Sequence, residues 1–304
     1  WSEAMFIMLE LLSILLLLRY VEKPRTPSLL LASAVAGLSL LCRYAGFALV
    51  ASGMLGILFL GAREQRDKLI DAGVFAGIAV LPMALWAARN WHLGGAIFNR
   101  TVSFHPMGLE KIFDIPAVLG GWFSFWLLAY DARVILWLAL VIIGFVLPFS
   151  YLKKAKFSDL RQTDTLLVFM LIVVVSYLAM LCLSLTFLDA QVPVDSRTLS
   201  PIYVPSTILL IALSARFGLA PGSRSRARFL VSACLALTLA AQLQSTLNWF
   251  RFNQQNGIGY AGRVWRESQT LNRLGRMLPA TVLFSNAPDV LYTLLNEPAV
   301  MIPR

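Results

Sequence analysis

Four groups of ionisable residues lie in or beside long apolar runs: Glu3 with Glu10, Arg43 with Tyr44, Arg89-Asn90 with His92 and Arg100 nearby, and Asp195-Ser-Arg197. A charge at bilayer depth costs roughly 2.5–3.5 kcal/mol on insertion scales, so such residues tend to face a cavity and to serve a function. Glu3 and Glu10 share one helix face, about 10 Å apart along the axis. Glu3 equally suits a solvated helix start, where a carboxylate meets the positive dipole end. Glu10 equally suits a hydrogen bond to a neighbouring helix. Arg43 can carry its guanidinium out to lipid headgroups or hold a phosphate. Arg89 and Asn90 end an apolar run, where Trp91 suits an interfacial anchor. Asp195 and Arg197 precede Ser200-Pro201, which reads as N-cap and N1 of a helix. Arg197 beside that N-terminus suits an anion, or it pairs locally with Asp195.

These groups have a common chemistry. Arg43, Arg89 and Arg197 come from separate segments, and three fixed guanidinium groups around the Glu3 carboxylate resemble a pocket for a phosphorylated ligand. Arginine holds phosphate through bidentate, charge-assisted bonds. Glu10, Tyr44, Asn90, Asp195 and Tyr203 are expected to line the same cavity. Other chemistries leave no trace in the sequence. It has no Gly-rich phosphate loop, no Ser-His-Asp order and no CxxC. His92 and His105 have no partner pattern that indicates a metal. Cys42, Cys182 and Cys234 lie in separate apolar runs and read as small buried hydrophobes.

The elements that must position these groups are membrane helices. Of 304 residues, 58% are hydrophobic and only 14% charged, against roughly 25% charge in soluble domains. Mean hydropathy is +0.72. The apolar blocks are long enough to cross hydrocarbon, which needs about 20 residues per helix. The predicted spans are Ala4–Tyr20, Leu69–Ala88, Val134–Leu152, Thr165–Phe187, Ile202–Phe217 and Phe229–Leu247. The run Leu29–Gly61 is too long for one span and short for two, so it predicts two shortened helices turning near Arg43. After a polar stretch, the Trp- and Phe-rich run Ile115–Tyr130 predicts a helix lying in the interface. The expected fold is therefore an all-α polytopic membrane protein of about eight transmembrane or half-spanning helices. Residues 1–247 form the membrane domain. Residues 248–304 form a small α/β tail, with a strand over Ala280–Ser285 and a helix over Asp289–Leu295. The chain begins at Trp1 with no signal peptide, so it reads as part of a longer protein.

Net charge is +10. The cations gather in the loops at 21–28, 62–68, 153–164 and 218–228, which share one side if 29–61 is a hairpin. The positive-inside rule makes that side cytoplasmic. The polar segments at 89–115, 188–200 and 248–304 then lie outside, as in a bacterial inner-membrane protein. No aromatic-interleaved basic patch suggests nucleic acid.

The chain resembles the GT-C membrane glycosyltransferases, the group holding protein O-mannosyltransferases and bacterial aminoarabinose transferases. The similar stretches are Ser2 to Phe6 at a helix head, Ser39 to Gly46 (SLLCRYAG), Trp86 to Asn90 (WAARN), Asp195 to Pro205 (DSRTLSPIYVP) and Phe284 to Tyr292 (FSNAPDVLY). The resemblance implies transfer of a sugar from a polyprenyl-phosphate donor to a lipid, glycan or protein acceptor. Transfer takes place on the extracytoplasmic face and inverts the anomeric centre. It implies that Glu3 is the acidic residue lining the site at the outer start of a later helix, and that Arg197 lies where the carrier phosphate is held. Arg43 and Arg89 are the weaker carry-overs. The main catalytic acidic residue of such enzymes lies in a first outer loop, which would precede Trp1, so this piece alone is expected to be inactive. Some relatives use a divalent metal, but no ligand set here requires one. Two other readings fit an intramembrane Arg and Glu. One is a transporter or flippase for a lipid-linked anion, although paired repeats are not visible. The other is a non-catalytic membrane subunit that binds a partner through its tail.

Overall fold

The structure is a computed structural model and describes residues 2–94, 102–122, 131, 135, 162–188, 192–217, 225–276 and 283–302. The principal helices among the described residues are α1 (Ser2–Glu22), α2 (Thr26–Cys42), α3 (Gly46–Leu60), α4 (Gln65–Gly94), α5 (Leu109–Trp122), α6 (Gln162–Phe187), α7 (Ser200–Phe217) and α8 (Ser225–Asn256). Three of the described helices are long and apolar enough to cross a bilayer: α1, α4 and the Asp164–Phe187 part of α6. The predicted span Val134–Leu152 lies outside the described residues except for position 135, as does the whole 123–130 stretch of the interfacial run. Leu109–Ile115, expected as polar connection, is instead the first half of α5. The loop expected over 21–28 shrinks to three residues. Pro24 stops α1 from continuing, and Pro27 sits in the first turn of α2, where its fixed φ suits a helix start.

The hairpin of 29–61 forms as expected. At 1.5 Å per residue, α2 (17 residues) rises about 25 Å and α3 (15 residues) about 22 Å. Both are short of the roughly 30 Å of hydrocarbon. The turn is tight because Gly46 lets the start of α3 approach α2. A Cβ there would stand 2.5 Å from the Leu40 Cα. Further down α3, Gly56 receives the Phe169 ring of α6; a Cβ there would lie 2.2 Å from its Cε2. Such contacts tolerate no added volume, because interiors are packed at crystal density.

α1 packs along α2, α2 and α3 pack on α4, and α6 packs on α3 and α7. One core runs through α1–α4 and α6, from Leu17 and Ala32 to Phe75 and Phe169. A second joins Ala48, Leu119, Tyr177, Leu199 and Ile202, and so seats α5 over α6 and α7. Ser13 Oγ donates to the Ala32 carbonyl at 3.2 Å and ties α1 to α2. In apolar surroundings such a bond satisfies a hydroxyl that water cannot reach.

Two compact units divide the chain, Trp1–Leu235 and Ala236–Arg304. The second unit contains the rest of α8, a 3₁₀ turn (Gly259–Ala261), α9 (Arg263–Arg266), α10 (Gln269–Leu274), β1 (Leu283–Ser285), α11 (Pro288–Leu295) and β2 (Ala299–Met301). β1 and β2 pair in parallel, Leu283 opposite Ala299 and Ser285 opposite Met301. The crossover is α11, which buries Val290 and Leu291 against Leu271. The helix falls where the sequence suggested, and β1 matches the described end of the predicted strand, positions 280–282 lying outside the described residues; the partner strand β2 did not show in the residue pattern, because its run is only three residues long.

Candidate functional site

Glu3 stands in the first turn of α1. Arg43 follows the last residue of α2, at the apex of the hairpin. Arg197 lies in the turn before α7. The structure brings all three together. Glu3 Oε1 lies 3.1 Å from Arg43 Nη1 and 2.7 Å from Arg197 Nε. One carboxylate oxygen thus bridges two cations from separate segments, Arg197 lying 194 residues from Glu3 in sequence. The two approaches differ. Arg197 makes a true hydrogen bond to Glu3. Arg43 Nη1 is within ion-pair distance but off the bonding direction, so this buried nitrogen has no hydrogen-bond partner. The carboxylate also raises the Arg197 guanidinium above its ordinary value, first through the hydrogen bond and then through its charge.

Local structure explains why Arg197 is held in place. Asp195 does not serve as its ion-pair partner. The Asp195 carboxylate accepts the Thr198 backbone N–H at 2.8 Å and closes the turn. Thr198 Oγ1 donates to the Pro193 carbonyl at 2.8 Å. Ser200 Oγ donates back to the Arg197 carbonyl at 2.8 Å. The expected N-cap at Ser200 is therefore replaced: Ser200 is already the first residue of α7 and its hydroxyl pins the turn behind it. Short polar side chains satisfy nearby backbone more readily than they continue a helix. From α6, the Tyr177 hydroxyl donates to the Thr198 carbonyl. Lys111 of α5 reaches the Val192 carbonyl at 3.2 Å.

Other predicted lining residues divide. Glu10 is 2% exposed, one of its carboxyl oxygens has no hydrogen-bond partner, and both it and Arg43 lie within electrostatic reach of the Tyr177 hydroxyl. Tyr203 packs edge-on against Trp122 of α5, with ring centroids 5.1 Å apart. Tyr44 is exposed at the hairpin apex. Arg89 is exposed and Asn90 half-buried near the end of α4. The antiparallel course of α3 and α4 returns Arg89 toward the hairpin-apex end of the bundle. Arg100 lies outside the described residues. Sequence reasoning missed Tyr177 and Thr198. The available signal was a tyrosine inside an apolar span, whose hydroxyl must find a partner when buried.

Among the described residues, no group of His, Cys, Asp and Glu could hold a metal. Chemically, the site is a preorganised pair of guanidinium groups with a resident carboxylate and an unused N–H. Such a site can accept an anionic oxygen without reorganising. No family model, curated protein or solved structure matches this chain.

Proposed function

We propose that this chain is a membrane glycosyltransferase. It moves a sugar from a polyprenyl-phosphate donor to an acceptor on the extracytoplasmic face, with inversion. The observation that carries this reading is the bridge from Glu3 to Arg43 and Arg197. Two guanidinium groups converge at the end of an apolar bundle, where a lipid phosphate would sit. The basic loops within 21–28 and 62–68, at the other end of α1–α4, support the outward orientation by the positive-inside rule.

The donor phosphate would lie on Arg43 and Arg197. An acceptor hydroxyl or amine attacks the anomeric carbon and its proton passes to a base. The bond from that carbon to the phosphate oxygen breaks, and its electron pair leaves with the polyprenyl phosphate. Negative charge grows on that oxygen as the bond lengthens. Positioned guanidinium groups, Arg43 largely shielded from solvent, stabilise it there more than in the ground state. Glu3 keeps both arginines in register and neutralises one positive charge while no donor is present.

The test supplies radiolabelled polyprenyl-phosphate sugar to the full-length protein in proteoliposomes. Transfer of label to an acceptor supports the reading. Movement of label between leaflets without transfer would replace it with a flippase.

A further inference from the structure

Glu10 has no role in the phosphate clamp, yet it is the most deeply buried carboxyl among the described residues with an oxygen left without a hydrogen bond. An unpaired polar group in a dry interior costs free energy. Such a group is retained where a ligand or ordered water completes it. Its position points to a ligand. Glu10 lies two turns below Glu3 on the same face of α1, about 10 Å along the axis. The Cα–Cβ bonds of a helix tilt toward its N-terminus, which for Glu10 is the Glu3 end of α1. α1 packs against α6 and α7. Tyr177 of α6 joins the two levels. Its hydroxyl holds the turn one residue after Arg197 and lies within electrostatic reach of both Glu10 and Arg43. Two more buried oxygens without a partner, Ser176 Oγ and Ser206 Oγ, stand on α6 and α7.

We propose that Glu10 binds the hydroxyl-bearing part of the ligand whose phosphate rests on Arg43 and Arg197, its unpartnered oxygen accepting a hydrogen bond from the sugar being transferred. This inference rests on the donor reading above. A carboxyl accepts a hydroxyl hydrogen bond whether or not it is ionised. Glu10 is thus a specificity group for the sugar, beside a clamp that recognises only phosphate.

The experiment measures binding to the full-length protein in nanodiscs. One probe is undecaprenyl phosphate. The other is undecaprenyl phosphate bearing glucose, mannose or aminoarabinose, whichever the wild type binds best. The wild type should prefer the sugar-bearing probe by about tenfold, the size of one good hydrogen bond to a carboxyl. Glu10→Leu should reduce that preference to none while affinity for undecaprenyl phosphate stays unchanged. Glu10→Met repeats the test if Glu10→Leu fails to fold. A preference that survives either substitution overturns the inference and leaves the donor reading standing. Equal weakening of both probes overturns it too, since Glu10 then acts through the fold. If the wild type binds neither probe, the donor reading falls and this inference falls with it.

Discussion

Two polar clusters sit at opposite ends of α1, about 26 Å apart by helical rise, and they are finished differently. At the far end, Asp71 of α4 accepts the Tyr20 hydroxyl and lies 3.3 Å from Arg63 Nη1. Its side chain is 13% exposed and each member has a partner. At the near end, Glu3 is 22% exposed and its partner Arg197 is 76% exposed. There Arg43 Nη1 and Glu10 remain incompletely bonded. The first cluster joins α1 to α4 across the basic face, as a structural tie. The second has the composition of a tie but the unfilled bonds of a binding site. Incomplete satisfaction, rather than the number of charges, separates the two.

That contrast can be broken by substitution. The largest effect should follow Arg43→Ala, with turnover of the full-length protein falling on the order of 100-fold, as for loss of one preorganised donor to a developing oxyanion. Near-normal turnover would return Arg43 to the headgroup-anchor role. Glu3→Gln should lower turnover about tenfold at normal expression; full activity would take Glu3 out of the site. Arg197→Ala should weaken undecaprenyl phosphate binding by about tenfold with an unchanged melting temperature. A lowered melting temperature at unaltered donor affinity would reverse its assignment.

The opposite end should answer in stability alone. Asp71→Ala leaves the Tyr20 hydroxyl without its partner and should cost about 1–3 kcal/mol, read by thermal unfolding in detergent, with donor affinity intact. Arg63→Ala should cost under about 1 kcal/mol, because its side chain is 38% exposed and the pair is screened. If Asp71→Ala abolished donor binding in folded protein, the two ends would be coupled and the division between tie and site would fail.

Much of the bundle was legible because hydropathy is a local property. Runs of apolar residues of a given length predict helices, and prolines mark their limits. The short hairpin followed from the length of the run together with its interruption at Arg43-Tyr44 and the Gly46 that follows. α5 was harder. Its first half, Leu109–Ile115, carries Glu110, Lys111 and Asp114 and looks like a loop until Leu119 is seen in the core with Tyr177. The turn at Ser200 was also misjudged, because its hydroxyl has two bonding options and the Asp195 turn decides between them.

The sequence by itself determined that the chain is apolar and helical, and which charges stand in costly places. It determined this because hydrophobic length and charge are summed along the chain. Only the tertiary structure decided which of those charges meet. Glu3, Arg43 and Arg197 converge, and Asp195 turns inward to its own backbone. Convergence depends on how helices pack and on a single oxygen having room for two cations. Neither is encoded in any one segment, so no window of sequence could contain it.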